Sequence, residues 1–98
     1  MAIQAVFDYA GVDQASYDGM IPQVEAQLRS RPGFIAHVAT KTSDGFRVTE
    51  VWASQAALDT WLQDVIGPMM QGAGSAAPTP NVEPVHHVIV QSPGVAAQ

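Results

Sequence analysis

Apolar and polar positions alternate along some stretches of this chain and recur at helical spacing along others. Residues 2–9, 34–41 and 46–52 alternate and are rich in β-branched and aromatic side chains, a pattern typical of strands. Residues 14–30, and the stretch that begins after Ser54, repeat apolar side chains three and four positions apart. That spacing predicts two amphipathic helices.

Local signals set the boundaries of these elements. Asp13 and Ser54 precede the helices, and their side-chain oxygens suit the capping of backbone N–H groups. Asp44-Gly45 predicts a tight hairpin between the second and third strands. Pro22 lacks a backbone N–H, so we expect it to kink the first helix or to split it in two.

The last third of the sequence is less regular. Gly67-Pro68 is expected to bend or end the last turn of the second helix. Residues 72–81 are small and Pro-rich, and residues 82–91 return to a strand pattern, although Pro84 suits only an edge or a strand end. The tail at 92–98 is expected to fray.

The predicted order is β-α-β-β-α-β, which is the ferredoxin-like α+β arrangement in one domain over residues 1–91. Its antiparallel sheet has helices on one face only. The composition is 47% hydrophobic and 13% charged, which is poor in charge for a protein in water. We therefore expect a second copy to cover the other face, where apolar strand side chains are in excess: Phe34, Val38, Val48, Val88 and Val90.

Charge and residue usage exclude several function classes. The formal net charge is −5 with four Lys and Arg in total, so nucleic acid and anionic membrane surfaces are not expected partners. The absence of cysteine excludes disulfides, thiolate nucleophiles and iron–sulfur clusters. The Met-Ala-Ile-Gln start lacks the pattern of a signal peptide, so we expect a cytoplasmic protein.

The centre of the chain resembles a known superfamily. Pro32-Gly33 leads into the second strand, the hairpin follows, and the third strand ends in Val51-Trp52 just before the helix cap Ser54. With Asp44-Gly45 at the turn and Pro84-Val85-His86-His87 near the end, residues 2–91 resemble the antibiotic-biosynthesis-monooxygenase-like dimeric α/β barrel proteins, in particular short actinobacterial-type members. The superfamily holds oxygenases, haem degraders, cyclases and isomerases, so the resemblance is more specific for fold than for reaction.

Two tryptophans are candidate substrate-binding residues. Trp52 lies in a region where, by the resemblance, quinone-forming oxygenases use a Trp. Trp61 matches the Trp of haem-degrading members, but Gln71 stands where those enzymes have the His that ligates iron, and glutamine is not a haem ligand. No cofactor is therefore expected. For both tryptophans, packing in the core is the alternative interpretation.

The histidines are the candidate acid–base catalysts, because imidazole exchanges protons near neutral pH. His86 is favoured since it falls at the histidine of the family's last strand, and His37 on the second strand is the other candidate. His86 and His87 point to opposite faces of their strand. In this fold the second and fourth strands lie at opposite edges of the sheet, so His37 and His86 are separated within one subunit and no metal site is expected.

Other polar and aromatic side chains complete the candidate site. Tyr17 and Phe7 are predicted to line the substrate pocket. Arg47 is expected to pair with Glu50 of a neighbouring strand, or to bind an anionic substrate. Together these residues predict a small-molecule enzyme that acts on a hydrophobic, aromatic or polyketide-like substrate, in the manner of a cofactor-independent monooxygenase or of a cyclase or isomerase.

Two alternatives remain open at this point. The same pocket could bind a small hydrophobic ligand without turnover, or the domain could serve only as an accessory dimerisation module. Proximity of Trp52, Met20 and Met69 between the sheet and the helices would favour the last of these.

Overall fold

The secondary structure follows the predicted order. A computed structural model describes residues 1–91 of the chain. The strands are β1 (Ile3–Ala10), β2 (Phe34–Lys41), β3 (Gly45–Trp52) and β4 (Asn81–Pro84), and the helices are α1 (Gln14–Arg29), α2 (Gln55–Trp61) and α3 (Gly67–Gly72), with a π-helical turn (Leu62–Ile66) between the last two.

The four strands form one antiparallel sheet in the order β2-β3-β1-β4. The two long central pairings set the register: Ile3 lies opposite Trp52 between β1 and β3, and His37 lies opposite Glu50 between β2 and β3. Gly45 is required at the hairpin end, because a Cβ there would overlap the Tyr9 carbonyl oxygen. The α+β ferredoxin-like fold class is confirmed.

The core lies between the sheet and the helices. Odd-numbered residues of β1 and even-numbered residues of β3 face the helices, as the strand period requires. Trp52 and Trp61 form its centre, with ring centroids 6.0 Å apart. The buried cluster contains Ile3, Ala5, Phe7, Val24, Leu28, Val48, Trp52, Leu58, Trp61, Val65 and Ile66.

Helix α1 is continuous through Pro22, so the predicted split is wrong. The Asp13 side chain accepts a hydrogen bond from the Ser16 N–H at 2.8 Å and starts the helix as expected. Beyond the proline, Val24 and Leu28 are buried against the sheet. This packing keeps the residues after Pro22 helical, although Pro22 removes one backbone hydrogen bond.

Gly67-Pro68 does not end the second helical segment, which continues to Gly72. The chain accommodates the proline by a π-helical turn, in which the Gly67 N–H donates to the carbonyl of Leu62, five residues earlier. A Cβ at Gly67 would lie 3.1 Å from that carbonyl oxygen, so the small residue suits the close approach. Pro68 then stands in the first turn of α3, where a missing N–H costs little.

The last strand is shorter than predicted. β4 ends at Pro84, which lies opposite Ile3, and the Val85 N–H still donates to the Ala2 carbonyl at 2.9 Å. The pairing stops there because β1, its neighbour in the sheet, begins at Ile3. Residues 85–91 are therefore outside the sheet, and the predicted tail at 92–98 lies outside the described residues.

The face of the sheet away from the helices is uncovered. Val38 on this face is 57% exposed, and Ile89 in the segment after β4 is 82% exposed. Phe34 and Val48 do not belong to the uncovered face, contrary to expectation, because both pack with the core on the helix side. Within residues 1–91, none of the helices is both long and apolar enough to span a membrane.

Candidate functional site

Glu50 is the one buried charged side chain among the described residues. It lies on β3 between Val48 and Trp52 and faces the helices, with only 5% of its side chain exposed. Burial of a carboxylate away from water lowers the free energy of unfolding by on the order of several kcal/mol, unless the carboxylate is paired and hydrogen-bonded. The structure satisfies Glu50 with two donors.

The carboxylate of Glu50 is shared between a histidine and a tryptophan. Its Oε2 lies 2.9 Å from Nδ1 of His37, directly across the β2–β3 pairing. Its Oε1 accepts a hydrogen bond from the Trp52 indole N–H at 3.0 Å. On the far side of the imidazole, Nε2 of His37 lies 2.9 Å from the Tyr17 hydroxyl. We refer to Tyr17, His37, Glu50 and Trp52 as the polar chain.

The chemistry of the groups in the polar chain determines which of them donate hydrogen bonds and which accept them. The indole of Trp52 can only donate, so the carboxylate acts as acceptor at that end. If the Nδ1–H of neutral His37 donates to the second carboxylate oxygen, Nε2 is left as an acceptor for the Tyr17 O–H. Every member is then satisfied, and none of the buried side-chain polar atoms within residues 1–91 lacks a partner. The arrangement is that of a carboxylate-oriented imidazole with a phenol at its outer end.

Tyr17 is the end of the polar chain that lies nearest the surface. It stands in the first turn of α1 and is half-buried, and its ring stacks on Phe46 with centroids 5.0 Å apart and planes 6° from parallel. Accessibility decreases inward, since the His37 side chain is 15% exposed and that of Glu50 only 5%. A proton can therefore enter or leave through Tyr17 and His37.

Burial and the nearby Glu50 charge keep two phenols protonated around the site. Burial, and then the charge of Glu50, raise the pKa of Tyr17. The same two causes raise the pKa of Tyr9, on β1, to about 12. Both phenols are therefore hydroxyl donors at neutral pH.

Three of the predicted substrate-binding residues lie in the core. Trp52 is fully buried, and Trp61 and Phe7 are 1% and 2% exposed. The guanidinium of Arg31 lies 5.7 Å from the ring centre of Trp61 and covers it from outside. In this structure the three side chains pack on other protein atoms, so their role in binding a ligand stays a prediction. Tyr17, in contrast, is partly exposed and can contact a ligand.

His86 lies far from the polar chain. It is exposed in the segment that follows β4, at the opposite edge of the sheet from β2, so the structure does not bring His37 and His86 together within one subunit. Both His86 and His87 line a shallow depression of about 410 Å³ on the β4 side, with Gln4, Glu83, Pro84 and Val85. A catalytic role for His86 stays a prediction.

Arg47 does not pair with Glu50, because the two residues point to opposite faces of the sheet. Arg47 instead pairs with Asp8 on the uncovered face, with Nε 2.8 Å from Oδ1. Its hydrogen bond and charge lower the pKa of Asp8. The pair borders a second depression of about 380 Å³ at the hairpin end, which touches neither Tyr17 nor His37.

Sequence reasoning did not select Glu50 as a functional residue, although one signal was present. Glu50 follows Val48 and precedes Trp52 at alternate positions, so it falls on the apolar, helix-facing side of its strand. A charged residue at such a position requires a buried partner. The identity of that partner depends on the β2–β3 register, which alternation alone does not supply.

The described residues offer no evident metal site, since no group of three or more His, Asp or Glu side chains within residues 1–91 could hold an ion. Gln71, at the position of the haem-ligating histidine in the resemblance, lies exposed on α3.

Comparison with solved structures gives the relation to known proteins. A variant of SnoaB, a cofactor-independent oxygenase from Streptomyces nogalater, superposes with a TM-score of 0.62 at 13% identity, over 92% of this chain and 96% of the other. The chain has the fold of these oxygenases. The resemblance seen in the sequence is thereby confirmed at the level of the fold.

Two other structures share the fold. A putative monooxygenase from Shewanella loihica gives a TM-score of 0.54 at 17% identity, over 89% of this chain and 96% of the other. The NE2512 protein of Nitrosomonas europaea, of unknown function, gives a TM-score of 0.58 at 18% identity, over 96% of this chain and 94% of the other. No protein-family model and no curated protein matches the sequence.

Proposed function

We propose that the protein is a small-molecule enzyme that oxygenates a hydrophobic aromatic or polyketide-like substrate without a cofactor. The observation that supports this most is the polar chain, in which a buried carboxylate orients His37 toward the half-exposed Tyr17 hydroxyl. The fold shared with a cofactor-independent oxygenase supports the same reaction class.

The polar chain suits the first step of such a reaction, the removal of a proton from carbon. A substrate methylene flanked by aromatic rings or carbonyls is acidic enough for a positioned base to deprotonate it. His37 would accept the proton through the Tyr17 hydroxyl, and Glu50 would stabilise the imidazolium that forms. Both phenol and imidazole regain their starting state when the proton is returned.

Molecular oxygen is the oxidant in the following steps. The substrate carbanion transfers one electron to O₂, and the two radicals join in a C–O bond to give a peroxide. The proton held by the polar chain converts it to a hydroperoxide. Loss of water then leaves a carbonyl group, so that one CH₂ and one O₂ give one C=O and one H₂O.

Oxygen consumption with a panel of dihydroxy-aromatic compounds tests this function. We expect the wild-type protein to consume dissolved oxygen with at least one member of the panel, and His37→Ala to lose about 100-fold of that rate, the contribution typical of a general base. His87→Ala is the matched control, because it removes an exposed histidine that lies outside the polar chain and is not a candidate catalytic residue. No oxygen consumption with any panel member, or an unchanged rate in His37→Ala, would refute the proposal.

The proposal includes a homodimer in the cytoplasm. The uncovered sheet face and the exposed Val88, Ile89 and Val90 support association with a second copy, because this apolar surface is left in water in one chain. Light scattering at micromolar concentration should return the mass of two chains. Ile89→Glu should shift the protein toward monomer, whereas a wild-type mass of one chain would contradict the dimer.

A non-catalytic accessory dimerisation module is a second candidate function. It is favoured by the burial of Trp52 and Trp61 and by the packing of Met20 and Met69 against the same core, which fill the space between sheet and helices. Native mass spectrometry distinguishes this function from the enzyme and from ligand binding without turnover. A dimer that holds no small molecule supports the module, and a tightly held molecule that stays chemically unaltered after long incubation in air supports binding. Conversion of that molecule to a product one oxygen atom heavier and two hydrogen atoms lighter supports the enzyme.

A further inference from the structure

We infer that Trp52 is a positioning residue for the polar chain, and that its indole N–H fixes the orientation of the Glu50 carboxylate against His37. This differs from the role of a pocket wall, which the sequence suggested for Trp52. The inference concerns the site of the proposed function, but it rests on hydrogen-bond geometry that is independent of any substrate.

The first step of the argument is that Trp52 is a fixed donor. It lies two residues after Glu50 on β3, so both side chains project from the same face of the strand. Its ring is held edge-on by Phe34, with centroids 5.5 Å apart and planes at 65°, and by Trp61 at 6.0 Å. With no part of the side chain exposed, the indole N–H has one direction available to it.

The second step is that a carboxylate with one donor is free to turn, whereas one with two donors is not. The terminal torsion of a glutamate side chain is broad and roughly two-fold. The Trp52 N–H holds Oε1 at 3.0 Å, so the plane of the carboxylate is set and Oε2 is directed at His37 Nδ1. The indole also satisfies an oxygen that would otherwise be buried without a donor.

The third step links this orientation to the tautomer of His37. A carboxylate oxygen held against Nδ1 favours the proton on that nitrogen and leaves Nε2 as acceptor for Tyr17. Loss of the Trp52 donor leaves Oε1 unsatisfied, and the carboxylate can then turn away from Nδ1. The preference for one tautomer weakens as a consequence.

Trp61 provides a matched control within the same core. It is 1% exposed, packs against Trp52, and makes no hydrogen bond to Glu50. Trp52→Phe and Trp61→Phe remove similar volumes from the same cluster, but only Trp52→Phe removes a donor from the carboxylate. A difference between these variants therefore reports the N–H and not the loss of packing.

The experiment is ¹⁵N NMR of the His37 imidazole at a fixed neutral pH. We expect the Nδ1–H tautomer to predominate in the wild-type protein and in Trp61→Phe. In Trp52→Phe the tautomer ratio should move toward equality by about five- to tenfold, the factor that corresponds to one hydrogen bond. Equal shifts in the two variants, or no shift in either, would overturn the inference.

A second replacement covers the case in which Trp52→Phe does not fold. Benzothienylalanine at position 52 keeps the shape of the indole and replaces the N–H with sulfur, so it should reproduce the tautomer shift with little loss of packing. Where an oxygenase activity is measured, the donor-free variants should lower kcat more than they raise KM. A tautomer shift in a protein that consumes no oxygen supports the positioning role and refutes the proposed oxygenase.

Discussion

His37 and His86 differ in burial and in the hydrogen-bond partners around them. His37 is held at both ring nitrogens, by Glu50 and by Tyr17, and lies beneath α1 with most of its side chain buried. His86 lies exposed beyond the end of β4 and borders a shallow depression. An imidazole needs orienting partners to act as a directed base, and His37 has one at each ring nitrogen.

This difference shows what local sequence leaves undetermined. His86 was favoured because of its place in a short family-like segment, which says nothing about its neighbours in space. The partners of His37 come from three separate elements, α1, β2 and β3, and are brought together by sheet register. In the proposed dimer a second copy would supply partners to His86 if the exposed segment around Ile89 lies in the interface.

The largest expected effect is on stability and comes from Glu50→Ala. It removes the acceptor of both His37 and Trp52 and leaves their N–H groups buried without a partner. We expect the free energy of unfolding to fall by about 3–5 kcal/mol, as when one member of a buried pair is removed. Urea denaturation followed by tryptophan fluorescence measures this loss.

Glu83→Ala is the control for that measurement. Glu83 is an exposed carboxylate on β4, in the region of His86, and its removal should change the free energy of unfolding by no more than about 0.5 kcal/mol. Similar losses of unfolding free energy in Glu50→Ala and Glu83→Ala would mean that the buried hydrogen bonds of Glu50 do not stabilise the fold as the structure indicates.

Alkaline pH provides the next largest effect, through Tyr9 beside the polar chain. Folding raises the pKa of this phenol from 10.0 to about 12, because it is buried near the Glu50 charge. A raised pKa contributes stability that is present in full below about pH 10 and is lost as pH rises toward 12. The loss amounts to about 2–3 kcal/mol. Thermal unfolding between pH 9 and 12 should therefore show a steep decline that is reduced in Tyr9→Phe.

Asp8 is a control on the opposite face of the same strand. Arg47 lowers the pKa of Asp8, so its contribution is present above its ordinary value of 3.8 and is lost as pH falls through the lowered value. Asp8→Asn should change the pH dependence of stability only on the acid side and leave the steepness of the alkaline decline as in the wild type. An unchanged alkaline decline in Tyr9→Phe would argue against the raised pKa of Tyr9, which burial and then the charge of Glu50 produce.

The fold was largely predictable, since alternation, caps and the Asp44-Gly45 hairpin are local signals and each is present in the sequence. The errors fell where packing or strand pairing overrides a local rule. Pro22 stays inside α1 because Val24 and Leu28 pack beyond it, and β4 stops at Pro84 because β1 offers no further residues to pair with. The role of Glu50 depends on which residue lies across the sheet, which no local pattern reveals.

A smaller effect is expected from Tyr17→Phe. The variant keeps the ring that stacks on Phe46 and removes only the hydroxyl that meets His37 Nε2. The free energy of unfolding should fall by about 1 kcal/mol, the net value of one hydrogen bond. If the proposed function holds, the oxygenase rate should fall by a factor much larger than the one equivalent to this loss of stability, because the hydroxyl at the outer end of the proton path is removed. Equal, small effects on stability and rate would remove Tyr17 from the reaction.

The smallest expected effect is from His86→Ala in the dilute, dissociated protein. An exposed side chain without a hydrogen-bond partner in the described structure contributes little, so the free energy of unfolding should stay within about 0.5 kcal/mol of wild type. His37→Ala under the same conditions should cost more, since it leaves Glu50 with Trp52 alone. The same measurement at a concentration where the dimer forms tests the role of a second copy. If His86→Ala lowers the free energy of unfolding only there, a second copy supplies His86 with partners that it lacks within one chain.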